Sequence, residues 1–157
     1  MKKIKVYLAA SFAYPSKITT DQRKFWIDQA ARILYNKRCD VFVPHEHKIP
    51  GGEEMSNAEW ARAVQQMDKE NLEAADWVVV LTFGKFGNNA GVAWEAGYAA
   101  GLGKKILVVK MNNEIESMMM WFNVTAHVIG LEELREFSFK EKDSWKWHKT
   151  TENIELS

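Results

Sequence analysis

Four short apolar runs punctuate the chain: Ile4-Lys5-Val6-Tyr7-Leu8, Val41-Phe42-Val43, Trp77 to Leu81 and Ile106 to Val109. The third and fourth are continuously apolar, the pattern of a parallel strand covered on both faces. Ala126-His127-Val128-Ile129 predicts a weaker fifth strand. Between these runs apolar residues recur at helical spacing. Phe25, Trp26, Ala30, Ile33 and Leu34 are assigned to one face of a first helix, and Trp60, Val64, Met67, Leu72 and Ala75 to one face of a second. A third helix is expected from about Asn89 to Leu102 and a fourth around Met118 to Phe122. Alternating strands and helices predict an α/β fold. The expected form is a single-domain, doubly wound parallel sheet of about five strands, flavodoxin- or Rossmann-like, with helices on both faces. In such folds ligands bind at the carboxyl ends of the strands, here the loops 9–20, 44–57, 82–90 and 110–115. From residue 139 onward the chain is read as a largely polar tail lying on the surface or on a neighbouring subunit.

Composition narrows the partners. Across 157 residues, 21 Lys+Arg balance 21 Asp+Glu, so there is no basic excess to neutralise nucleic-acid phosphates, and no nucleic-acid partner is expected. A hydrophobic content of 46% excludes a disordered tail. Lone Cys39 permits no internal disulfide and suits a reducing cytoplasm. The apolar run after Met1-Lys2-Lys3 is short and broken by Lys5, and reads as a strand rather than an export signal. No apolar run approaches the ~18 residues of a membrane span, so a cytoplasmic protein without a membrane partner is expected. Trp and Met crowd the C-terminal third, as at subunit interfaces, and a homo-oligomer is expected.

Several chemistries lack their motif. No G-x-x-x-x-G-K-[ST] is present, and the loop after the first strand, Ala9-Ala10-Ser11-Phe12-Ala13, has no glycine for a dinucleotide fingerprint. Ser11, Ser16, Thr19 and Thr20 leave a flavodoxin-type phosphate loop open. His45 and His47 flank Glu46 without a third nearby ligand, a weak metal signal read as a solvated loop. No metal and no organic cofactor is expected.

Two carboxylates are out of place. From Phe86 to Gly103 only Glu95 carries a charge, in a helix that is apolar nearly all round and therefore expected to be buried in the fold or at an interface. A charge there is costly unless paired, and its pKa is open to displacement. Gly91, four residues earlier on the same face, opens space over it. Asp68 falls on the apolar stripe Trp60, Val64, Asp68, Leu72, Ala75 of the second helix. Tyr7 places a phenol in mid-strand, where its hydroxyl needs a partner. Asn88-Asn89 would cap the Glu95 helix at the edge where a polar ligand docks.

Tyr7, Asp68 eight residues before Asp76, and Asn89-Ala90-Gly91-Val92-Ala93-Trp94-Glu95-Ala96-Gly97-Tyr98 together resemble the nucleoside 2-deoxyribosyltransferases, over about residues 3–137. The resemblance implies that Glu95 is the nucleophile at C1′ of a 2′-deoxynucleoside, that Tyr7 positions it, and that Asp68 supports proton delivery to the leaving base. It implies substrate-binding roles for Gly91, for Ser11 and Phe12 of the first loop, and for Asn89, which stands where the family usually has Asp. A neighbouring subunit would contribute Met119 and Asn123, with Met118 and Met120 as adjacent candidates. The substrates implied are 2′-deoxynucleosides and free purine or pyrimidine bases, and a dimer or hexamer fits. Two alternatives stay open: a hydrolase cleaving deoxynucleoside 5′-monophosphates, and a non-catalytic nucleotide-binding module.

Overall fold

The computed structural model describes residues 2–11, 20–83, 90–112 and 124–145. Five strands form one sheet: β1 (Lys5–Ala10), β2 (Asp40–Phe42), β3 (Trp77–Thr82), β4 (Lys105–Lys110) and β5 (Ala126–Ile129). Every pairing is parallel and the order is β2-β1-β3-β4-β5. Four helices accompany them: α1 (Thr20–Asn36), α2 (Asn57–Ala74), α3 (Ala90–Gly101) and α4 (Gly130–Glu136). This is the doubly wound α/β fold expected, in the flavodoxin-like strand order, whose switch point lies between β1 and β3. Among the described residues no helix is long and apolar enough to cross a membrane.

Alternation along the strands divides the core. Val6, Leu8, Trp77, Val79, Leu81, Leu107 and Val109 point to the face covered by α1 and α4. Tyr7, Ala9, Val78, Val80, Ile106 and Val108 point to the face of α2 and α3. Helix α1 buries Ile27, Ala30, Ala31, Ile33 and Leu34, and also Arg23. Phe25 and Trp26 depart from the expected face, being 53% and 38% exposed. Adjacent residues lie about 100° apart on a helix, so these two aromatics cannot both share the stripe of Ala30 and Leu34.

Helix α2 begins with a capping box: the Ser56 hydroxyl accepts from the Glu59 N–H at 3.2 Å, and Glu59 Oε2 accepts from the Ser56 N–H at 2.8 Å. At its other end Leu72 is fully buried, and Glu73 accepts the Tyr98 hydroxyl of α3 at 2.6 Å. Helix α3 is not covered all round within the chain, which leaves the interface alternative of the expectation. Val92, Ala96 and Ala99 are buried, while Trp94 is 38% exposed and stacks on Tyr98 with ring centroids 5.3 Å apart.

Two further corrections concern the C-terminal third. Helix α4 was not expected, and the helix expected around Met118 to Phe122 lies outside the described residues. The beginning of the supposed surface tail is core: Phe139 is buried, and the Trp145 ring meets Trp77 edge-on at 5.0 Å. Lys105 covers the outer side of this aromatic cluster, 5.6 Å from the Trp77 ring centre.

Candidate active site

At the carboxyl edge of the sheet a cleft of about 1060 Å³ opens beside the β1/β3 switch. That is the upper end of the usual size for small-molecule sites. Its floor is Ala10, Gly91 and Glu95, at the end of β1 and on α3. One wall is Trp60, Val64 and Met67 of α2, and the other is the segment 44–54, with its two short 3-10 turns at Pro44–Glu46 and Gly52–Glu54. Gly51, at φ 71°, makes the left-handed bend that turns this segment back toward α2.

Three polar side chains from three elements converge beneath the cleft, and of the three Glu95 lines it. Tyr7 comes from β1, Asp68 from α2 and Glu95 from α3. Tyr7 is fully buried, and the strand ladder fixes it on both sides, opposite Phe42 of β2 and Val78 of β3. Its ring leans on Phe42 at 5.4 Å between centroids. The phenol interacts with both carboxylates. Yet the Tyr7 hydroxyl, Asp68 Oδ1 and Glu95 Oε2 each lack a hydrogen-bond partner of regular geometry among the described residues. Buried polar groups are almost always paired. The Tyr7 hydroxyl meets both carboxylates, so the three atoms form one buried polar cluster whose Glu95 member reaches the cleft.

Burial governs the electrostatics. It raises the Glu95 carboxyl to about 7, with the Asp68 charge adding to the rise and the Tyr7 hydrogen bond opposing it. Asp68 is raised by burial as well, again opposed by Tyr7. The Tyr7 phenol is pushed far above its ordinary range by burial and by the two neighbouring acids, so it stays a neutral donor. Asp68 is charged while Glu95 titrates, so the cluster holds one carboxyl that changes its charge near neutrality beside a second acid already ionised. A group so displaced, at the edge of a cleft, is a candidate for chemistry.

Gly91 lies on the floor of the cleft, one turn before Glu95. Ser11 is fully buried, and its carbonyl accepts from Arg23 Nη1 at 3.1 Å. The Arg23 guanidinium lies 4.9 Å from the centre of the Phe83 ring, under the ends of β1 and β3. It braces the first loop from beneath, a role that escaped the sequence because a charge on a helix normally marks the solvent face. Phe12, Asn89, Met119 and Asn123 lie outside the described residues. Three further features were not foreseen. The first part of the α2 stripe, Trp60, Val64 and Met67, lines a cleft, whereas Leu72 and Ala75 are core. The Thr82 hydroxyl is buried at the end of β3 without a partner among the described residues. His45 and His47 diverge, His47 stacking on Phe42 at 4.4 Å while His45 lies near Asp28 and Glu46.

Comparison with known proteins agrees with this geometry. The family model described as nucleoside 2-deoxyribosyltransferase matches residues 6–132. Among solved structures, the 2-deoxyribosyltransferase of the psychrotolerant bacterium Bacillus psychrosaccharolyticus is similar at 27% identity and a TM-score of 0.73, covering 86% of this chain and 93% of its own. The CMP N-glycosidase of Clostridium botulinum shares the fold at 15% identity and a TM-score of 0.53, covering 89% of this chain and 93% of its own. No curated protein matches significantly by sequence.

Proposed function

Because the chain belongs to the nucleoside 2-deoxyribosyltransferase family, we propose that it moves a 2-deoxyribosyl group from one nucleobase to another through a glycosyl ester on Glu95. The observation that carries this reading is the convergence of Asp68 and Tyr7 on Glu95, which lines an open cleft and whose carboxyl is raised to about 7.

The chemistry follows from the three groups. Ionised Glu95 attacks C1′ as the glycosidic C–N bond breaks, and that bonding pair leaves with the base. Asp68 is assigned to deliver a proton to the departing nitrogen, taking it up in the complex with the substrate. The transition state is oxocarbenium-like, and a carboxylate close to C1′ stabilises it before trapping it. A second base then attacks C1′ from the face the first one left, Glu95 is expelled as a carboxylate, and the proton of the incoming nitrogen returns to Asp68. Two inversions give retention, and the kinetics are ping-pong. Tyr7 remains neutral and donates to Glu95, holding it in line. Gly91 leaves room over the carboxylate, and Ser11, Phe12 and Asn89 are assigned to sugar and base. Met119 and Asn123 are assigned to the sugar from a neighbouring subunit of a homo-oligomer. No step requires a metal or organic cofactor.

The test is product analysis. Incubation with deoxyuridine and adenine is expected to yield deoxyadenosine and uracil. Release of uracil only from deoxyuridine monophosphate, with no new nucleoside, would replace transfer by hydrolysis of nucleotides. The cleft favours the uncharged substrate, since Lys48 and the two histidines on its rim are offset by Glu53 and Glu54.

A further inference from the structure

The cleft extends well beyond the reacting groups. Trp60 and Glu95 line the same cavity, and Trp60 lies two turns of α2 before Asp68. At 1.5 Å per residue that is about 12 Å along the axis, and side chains lean toward the helix start, which carries the indole farther out. A base that takes its proton from Asp68 covers roughly one turn, about 5.4 Å, and therefore ends over Val64 and Met67. Trp60 stays beyond it. The indole is 49% exposed, although it lies against the 51–54 turn. A Cβ on Gly52 would come within 3.2 Å of indole Cδ1, and Ile49 closes the corner beside it. Gly52 is thus the residue that lets the turn approach the ring. The flanking charges are Lys48 against Glu53 and Glu54, so among the described residues this end holds no positive excess to grip a phosphate.

We propose that Trp60, with Gly52 and Ile49, forms an outer aromatic subsite for a planar apolar group carried on the exocyclic nitrogen of the base. The proposal rests on the base-exchange reading, because Asp68 must face the base for the α2 wall to be the base side of the cleft. A ring stacked on Trp60 removes exposed indole from water, and such stacking commonly changes affinity by about tenfold or more.

Calorimetric titration of the full chain compares each parent base with its benzylated derivative: adenine with N6-benzyladenine, and cytosine with N4-benzylcytosine. For the base that is exchanged, the benzyl derivative is expected to bind about tenfold more tightly. Trp60→Ala is expected to bring that ratio to about one, and Trp60→Phe to keep most of it. Equal affinities in the wild-type protein, or a ratio that survives Trp60→Ala, overturn the subsite. Exchange of the unsubstituted bases is assayed in parallel. If neither parent base is exchanged, the base-exchange reading falls on that assay alone, whereas the affinity ratio judges the subsite.

Discussion

The two faces of the sheet carry helices of nearly equal length and use them differently. Helix α1, with 17 residues, buries six of them. Helix α2, with 18, buries only Leu72. The α1 face is closed by large side chains, Leu8, Ile27, Leu34, Trp77 and Phe83 among them. The α2 face is filled by smaller ones, including Ala9, Ala75, Ala96 and Ala99, with Tyr7 and Ile106 as the large buried strand residues. Helix α2 docks at its C-terminal end, through Leu72 and the Glu73–Tyr98 bond, whereas its first half is exposed or half-buried. The same apolar periodicity that seats α1 on a core therefore makes a cleft wall in α2. Stability resides chiefly on one side of the sheet and the proposed chemistry on the other.

Substitutions on each side test this division. The largest effect is expected from Glu95→Ala, which should lower base exchange by roughly 10⁴-fold or more, the scale of losing a nucleophile, with no loss of folding stability. Near-normal exchange would remove Glu95 from the reaction. On the opposite face, Leu34→Ala should cost about 2–5 kcal/mol in denaturant titration, with kcat per folded molecule unchanged. Val64→Ala, on the half-buried cleft wall, should cost less than about 1 kcal/mol. Comparable losses at the two positions would mean that α2 packs as α1 does.

A smaller effect concerns pH. The Glu95 carboxyl is raised in the folded protein, so its contribution is most favourable below the ordinary value of 4.5 and is lost as pH rises through about 7. Glu95→Gln should therefore stabilise the protein by on the order of 1–3 kcal/mol at pH 8 and leave it little changed at pH 4. Chemical denaturation at the two pH values reads the difference, and a stabilisation equal at both would contradict the burial of this charge. The smallest change expected is that of Tyr7→Phe. Its hydrogen bond lowers the Glu95 pKa, so removing it should shift the acidic limb of kcat/KM to higher pH, with about a tenfold loss at neutral pH. An unmoved limb would separate Tyr7 from the ionisation of Glu95.

Much of the fold was legible because the strands are dense apolar runs. The expected strand at residues 126–129 coincides with β5, that at 77–81 gains one residue at its end, and that at 106–109 gains one at both ends. Helix α4 escaped notice because seven residues make barely two turns, too few for a period to show. The inward face of α1 was misjudged through Phe25 and Trp26, where bulk was taken for burial. Arg23 was overlooked because its cation–π contact and its bond to a loop carbonyl are tertiary. At the candidate site, Glu95 and Asp68 could be read because isolated charges stood on apolar faces, and Tyr7 because a hydroxyl interrupted a strand. The cleft wall could not, since Trp60, Val64 and Met67 follow the same spacing as residues packed in a core. Whether such a stripe meets a sheet or water depends on where along its length the helix docks.

Residues 7, 68 and 95 are distant in sequence, and no local segment contains two of them. The proposed catalytic constellation therefore has no precursor in an isolated hairpin, helix or fragment. It comes into being only when α2 and α3 have both docked on the second face of the sheet, after the chain has paid the entropy of closing two long loops. Enzymatic turnover in this protein thus acts as a reporter of completed assembly: during refolding, spectroscopic signals from α1 and the strands can recover before activity, but activity cannot precede the closure of the α2–α3 side.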